Sequence, residues 1–295
     1  MPLICRRALL ALAVLISFPA GAGNPTAIDH PIERNVILII GDGMDEQQIT
    51  IARNYLQGAR GELLMDQMPV RSSVQVLTIE DKVDGGPVYV ADSANTATSM
   101  ATGVITSRGR VGTSAGSDKA LTTNVELAAE AGLRSGNVTT ASVTDATAAA
   151  FAAHINIRLC ENPDSMVDVS YGDIPLGDCS QHLKANGGLG SISEQLAESA
   201  LHIILGGGRK HFQPKAEGLQ IPVAELARQN GFTTVTNPQQ LASVTPGDRV
   251  LGLFASSTLP VRLQGENERE AEEPEASLLN KVCLLYTSPS PRDED

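Results

Sequence analysis

Asn35-Val-Ile-Leu-Ile-Ile40 is an apolar run that fits a strand buried on both faces of a parallel sheet and halts at Gly41-Asp42-Gly43. Small residues from Ser93 to Thr102, closed by Gly103, predict a short helix that must pack closely on its neighbours. Asn124 to Glu130 predicts a helix closed by Gly132, Asn137 to Ser142 a strand, and Ala146 to His154 a helix. Ser191-Ile-Ser-Glu194 is a capping box that opens another helix. Leu201 to Leu205 then runs as a strand into Gly206, Gly207 and Gly208. A helix over Val223–Gln229, a strand over Thr233–Thr236, a helix started by Asn237-Pro238 and a strand over Arg249–Ala255 follow. This alternation predicts an α/β fold: a doubly wound, mostly parallel sheet with helices on both faces. Ligands of such sheets sit at the carboxyl ends of the strands, so chemistry is expected in the loops that follow them.

Both ends of the chain break the pattern. Residues 1–22 read as a signal peptide: Arg6 and Arg7, then an apolar Ala8–Phe18 too short to span a bilayer, then the small residues Ala20-Gly21-Ala22. At the other end, an acidic, proline-punctuated linker at 266–275 leads to an apolar pattern over Ser277–Lys281. Residues 282–295, with two Ser-Pro steps, resemble translated sequencing-adaptor sequence and are read as a non-native tail. The expected organisation is a leader at 1–22, a partial domain at 23–281 and the tail at 282–295.

Composition narrows the function classes. Of 295 residues, 42% are hydrophobic and 19% charged, which supports a folded core rather than disorder. The formal charge is −12, and loss of a leader carrying Arg6 and Arg7 and no acidic residue takes it to −14. That charge, with aromatics at 3% and no Trp, argues against nucleic acid as a partner. No stable membrane association is expected.

Three strand-end segments carry candidate chemistry, each with a plainer alternative. Asp42, between two glycines, is a metal-binding carboxylate or a turn aspartate. Ser93 starts a helix, where free backbone N–H groups stabilise an oxyanion or a phosphate; it is a nucleophile or an N-terminal capping serine. Asp145 and Thr147 present oxygens suited to magnesium, or form a helix cap. Arg158, thirteen residues after Asp145, is a bidentate phosphate clamp or a solvated surface charge.

In order and spacing these segments resemble bacterial alkaline phosphatases. The carriers are residues 35–44 with Ile49–Tyr55, Asp92-Ser93-Ala94 with Thr102-Gly103, Gly136 through Asp145-Ala-Thr147 to His154 and Arg158, and Leu205-Gly-Gly-Gly208. The resemblance covers about residues 35–281. It implies hydrolysis of phosphate monoesters by two zincs and one magnesium. Asp42 would bridge a zinc and the magnesium, Ser93 would be both zinc ligand and phosphorylated nucleophile, and Asp145 and Thr147 would be magnesium ligands. Arg158 would hold the phosphoryl oxygens. It also implies a bridge in the region of Cys160 and Cys179, the two cysteines outside the leader and the tail, and it leaves a homodimer open.

The resemblance has departures. Asn95 and Asp45 stand where the family pattern has smaller residues, with Asn95 expected to crowd the helix behind Ser93. The remaining magnesium carboxylate and the Asp and His ligands of both zinc sites are not identifiable; His30 is read as exposed, and His154 as a residue that packs or supports the site from behind rather than a zinc ligand. The chain as written is therefore expected to be nearly inactive. A sulfatase or phosphodiesterase of the same superfamily and a non-catalytic phosphate- or metal-binding fragment are the rival readings.

Overall fold

The computed structural model describes residues 35–260; the leader, the linker and the tail lie outside them. Contacts divide the chain into Met1–Gly41 and Asp42–Asp295. Of the first unit, residues 35–41 are described, and the strand expected at Asn35–Ile40 does not form there. Val36 is 90% and Ile39 80% exposed. The run has the composition of a buried strand, but no described strand pairs with it, and a parallel strand exists only through its neighbours.

The second unit opens with α1 (Glu46–Gln57), β1 (Thr78–Ile79), β2 (Pro87–Val88) and α2 (Ser93–Thr102). Next come α3 (Asn124–Glu130), β3 (Gly136–Ser142) and α4 (Ala146–Ala149). A hairpin of β4 (Val169–Tyr171) and β5 (Ile174–Gly177) precedes α5 (Ile192–Glu198), β6 (Ile203–Gly207) and α6 (Val223–Gln229). The last elements are β7 (Phe232–Val235), α7 (Pro238–Ala242) and β8 (Arg249–Leu253).

Four strands form one parallel sheet in the order β3-β6-β8-β7. Its register places Val138 opposite Leu205, Ile204 opposite Leu251, and Leu251 opposite Thr234. Side chains alternate between two separate cores, as the pleat requires. Ile204, Leu251 and Leu253 join Ala149 of α4, Ile192 and Leu196 of α5, and Val223 and Ala227 of α6. Ile203, Leu205 and Val250 pack with Leu241 of α7. Both faces are thus covered, as expected of a doubly wound α/β fold.

Small residues set the closest approaches. Ala94, Ala97, Ala146 and Ala149 are buried in one cluster, which brings α2 and α4 together behind the carboxyl ends of the strands. At Gly207 a β-carbon would lie 1.8 Å from the Ser257 carbonyl oxygen, so no other residue fits.

The helix expected to reach His154 stops at Ala149. Ile155 exchanges backbone hydrogen bonds with Val111 (2.8 and 3.0 Å), and the His154 amide donates to Gln195 Oε1. Those partners draw the chain out of helical geometry before the expected end. Cys160 and Cys179 are joined in a disulfide that closes the β4–β5 excursion.

Candidate active site

Ser93 is the first residue of α2, and Asp92 is its cap. Asp92 Oδ1 accepts from the Asn95 amide at 3.0 Å, and Asn95 Oδ1 accepts from the Asp92 amide at 2.8 Å. This reciprocal cap fixes the backbone on which Ser93 sits. Asn95 is fully buried and donates to the Leu77 carbonyl at 3.0 Å. The expected crowding is thus a satisfied cap that anchors the helix start. Asp45 is likewise a cap: it accepts from the amides of Gln47 and Gln48 and starts α1.

Arg158 joins three of the strand-end residues. Its backbone amide donates to the Gly109 carbonyl, and Gly109 in turn donates to Asp92 Oδ2. Arg158 Nη1 donates to Ser93 Oγ at 2.8 Å and to Asp92 Oδ2 at 3.3 Å. Nη2 donates to Asp145 Oδ1 at 2.6 Å. Burial opposes the guanidinium charge, but Asp145 and Asp92 outweigh it and Arg158 is held more firmly cationic than usual. Both hydrogen bonds on Asp145, from Arg158 and from the Ala146 amide, fall on Oδ1.

Asp42 Oδ2 accepts from Thr147 Oγ1, outside this group, at 3.0 Å. Ser93, Asp92, Asp145 and Arg158 therefore form one hydrogen-bonded group, with Asp42 and Thr147 a second pair joined to it through α4. Thr147 is two residues from Asp145. Among the described residues no three His, Cys, Asp or Glu side chains cluster as a metal site. His154 Nδ1 bonds the Gly112 carbonyl and Nε2 bonds Glu126, so it packs, as expected.

One strand over from β3, the loop after β6 carries Lys210 and His211. With Asn162, Asp164, Ser165 and Pro214 they line an open pocket of about 380 Å³. No motif in the sequence joins His211 to the neighbouring Glu161; only the pairing of β3 with β6 brings their loops together. The capping role offered for Ser93 belongs instead to Asp92, with Asn95 completing the box three residues on.

This fold and this rim place the chain among α/β proteins that hold their ligands at the carboxyl ends of a parallel sheet. The family model for alkaline phosphatase matches residues 33–286, and the chain belongs to that family. It is 41% identical over 258 residues to the streptomycin-6-phosphate phosphatase of Streptomyces griseus, covering 86% of this chain and 55% of that protein. It is 38% identical over 267 residues to the alkaline phosphatase of Escherichia coli (strain K12), covering 85% of this chain and 54% of that one. Among solved structures, the cold-active alkaline phosphatase from the psychrophile Shewanella sp. superposes with a TM-score of 0.58 at 25% identity, over 83% of this chain and 50% of that one. The chain spans about half the length of the curated relatives it matches.

Proposed function

We propose that the protein acts in the hydrolysis of phosphate monoesters, with Ser93 as the nucleophile and Arg158 as the clamp on the phosphoryl oxygens. The observation that carries this reading is the single guanidinium bonded to Ser93 Oγ, Asp92 and Asp145 at once. A cation donating to Oγ, at the positive end of a ten-residue helix, lowers the cost of alkoxide character on Ser93. The same two Nη groups match two oxygens of a phosphoryl group, so arriving phosphate can exchange for Ser93 and Asp145 as their acceptor. In the reaction a bond forms between Ser93 Oγ and phosphorus while the bond from phosphorus to the ester oxygen breaks. The serine proton goes to solvent and the leaving alcohol takes one from it. Water then cleaves the phosphoserine and regenerates Ser93.

Asp42, Asp145 and Thr147 supply three oxygen donors, two of them already in contact, and Asp145 Oδ2 carries none of the hydrogen bonds described above. That set fits magnesium, which takes oxygen ligands and keeps several waters. When bound, magnesium would neutralise the two carboxylates and polarise oxygen near Ser93. Among the described residues, Asp42 and Ser93 would supply two of the three or four protein ligands that a zinc site takes.

Export to the periplasm or beyond is part of the proposal, supported by the leader pattern and by the Cys160–Cys179 bridge. Among the described residues no helix is long and apolar enough to cross a membrane. The proposed partners are small phosphate monoesters, with a homodimer as the proposed assembly.

The test is acid-quench labelling of the full chain, supplied with magnesium and zinc, using a phosphorus-labelled chromogenic monoester. Label on a Ser93 peptide, abolished by Ser93→Ala with metal binding retained, is the expected result. Equal label on Ser93→Ala would refute the nucleophile assignment. The sparse ligand set favours one second reading, a phosphate-binding module without turnover. Metal stoichiometry measured together with turnover separates the two.

A further inference from the structure

Glu161 sits three residues beyond Arg158 and takes no part in the scheme above, yet it touches both neighbouring strand ends. Thr144 Oγ1 donates to Glu161 Oε2, and Ser142 Oγ lies 2.7 Å from Thr144 Oγ1. On the other side His211 Nε2 is 3.1 Å from the same Oε2. His211 Nδ1 lies 2.9 Å from Asn162 Nδ2, and an amide donor there leaves the ring proton on Nε2, aimed at Glu161. Thr144 is fully buried, and Ser142 and His211 are 5% and 6% exposed. The backbone is tied as well: the His211 amide donates to Gly208, and a β-carbon on Gly208 would lie 2.1 Å from Ser142 Oγ. The amides of Ile192 and Ser193, at the start of α5, donate to the carbonyls of Cys160 and Glu161.

One carboxylate therefore bridges three segments: the β3 end that continues into Asp145, the loop that carries Arg158, and the β6 end that carries His211. The Arg158–Asp145 contact spans the first two. On the arginine side the backbone is held by Gly109; on the aspartate side the Asp145 amide donates to the Ser142 carbonyl and the Asp145 carbonyl accepts from the start of α4. Burial pushes the Glu161 carboxyl up, and Asp145 adds to this while Thr144, Lys210 and Arg158 oppose it. Glu161 is thus within electrostatic reach of both groups.

We propose that Glu161 is a positioning residue for the phosphoryl site, setting the separation of Asp145 and Arg158 by gripping Thr144, with His211 holding its carboxylate in place. The proposal rests on the reading of Arg158 and Asp145 given above, but its test separates the two. Crystal structures of the full chain would be compared for wild type, Glu161→Ala and Glu161→Gln, and binding of inorganic phosphate would be titrated, with the ³¹P shift of the bound ion recorded. Arg158→Ala serves as the reference. In Glu161→Ala the Arg158–Asp145 hydrogen bond should be lost and phosphate should bind about tenfold more weakly, the scale of one charge-assisted hydrogen bond. Glu161→Gln keeps an acceptor for Thr144 and should restore both to within about threefold, a rescue that charge removal alone would not give. Thr144→Ala, which leaves the carboxylate in place, should reproduce the Glu161→Ala displacement and covers the case in which that variant fails to fold. An intact Arg158–Asp145 contact in Glu161→Ala or Thr144→Ala overturns the positioning role, whatever phosphate does. A lost contact, with phosphate binding unchanged in Arg158→Ala, overturns the functional reading instead.

Discussion

Residues 44–77 and residues 93–259 obey the same local rules and end in different states. In the first stretch α1 has a complete capping box at Asp45, yet none of its residues is buried; Leu56 is 62% and Tyr55 81% exposed. In the second, the seven-residue α5 has a similar box at Ser191 and buries every position from Ile192 to Ala197. The cap decides where a helix starts. What it packs against decides how much it stabilises, since most helical stability in proteins comes from tertiary packing. The candidate site repeats the contrast. Ser93, Asp92, Asp145 and Arg158 hang from elements whose backs are buried, and they share a dense set of hydrogen bonds. Asp42 precedes α1, is exposed, and has one side-chain hydrogen bond, from Thr147.

Several substitutions would break this comparison if it is wrong. The largest difference is expected between Leu251→Ala and Leu56→Ala. Leu251 is 1% exposed in the core formed with α5 and α6, and its truncation should cost about 2–5 kcal/mol by denaturant unfolding. Leu56→Ala should cost less than about 0.5 kcal/mol, as for an ordinary surface position; equal losses would mean that α1 is packed in solution. Next is the disulfide. Replacing Cys160 and Cys179 together by Ser opens a loop with a sequence separation of 19 and should cost about 3 kcal/mol in the chain-entropy model. Asn95→Ala should follow at about 1–3 kcal/mol, because it leaves the buried start of α2 with an unpaired Asp92 amide and Leu77 carbonyl.

A pH effect sharpens the picture of the buried rim. Burial, with Lys210 nearby, pushes His211 from 6.5 down to about 4. The unfolded chain then binds a proton that the folded chain refuses, so stability falls as pH drops from about 6.5 towards 4. Glu161, raised by burial, works the other way, so the net loss from pH 7 to 5 should stay below the roughly 2 kcal/mol that the His211 shift alone would give. Melting curves of His211→Gln should lack this slope; an unchanged slope would assign the effect elsewhere. The smallest global effect is expected from Asp45→Ala. It removes a cap usually worth about 1 kcal/mol, but from a helix that buries nothing, so amide exchange should quicken across Glu46–Gln57 without a shift in the main unfolding transition.

Most of the fold was legible in the chain, because its signals are local. The helices α2, α3, α5 and α6, the strands β3 and β6 to β8, and the Asn237-Pro238 start of α7 follow from capping residues, apolar runs and closing glycines within a few positions of each other. The parallel, doubly wound arrangement follows from their alternation, and the order of Asp42, Ser93, Asp145, Thr147 and Arg158 is written in sequence.

Other features depended on groups distant in the chain. Asn35–Ile40 has a strand's composition, but strandhood needs a hydrogen-bonded neighbour, and no described strand provides one. Helix α4 ends early because Val111 and Gln195 claim the backbone that follows it. Arg158 could not be told from a surface charge until the fold set its two Nη groups against Ser93, Asp92 and Asp145. Glu161 and His211, fifty residues apart, belong to no pattern and meet because β3 and β6 are neighbours. Periodicity and capping act over a turn or two of chain and can be read from it. Strand pairing, burial and the meeting of charged side chains are properties of the packed sheet, and only the tertiary structure decides them.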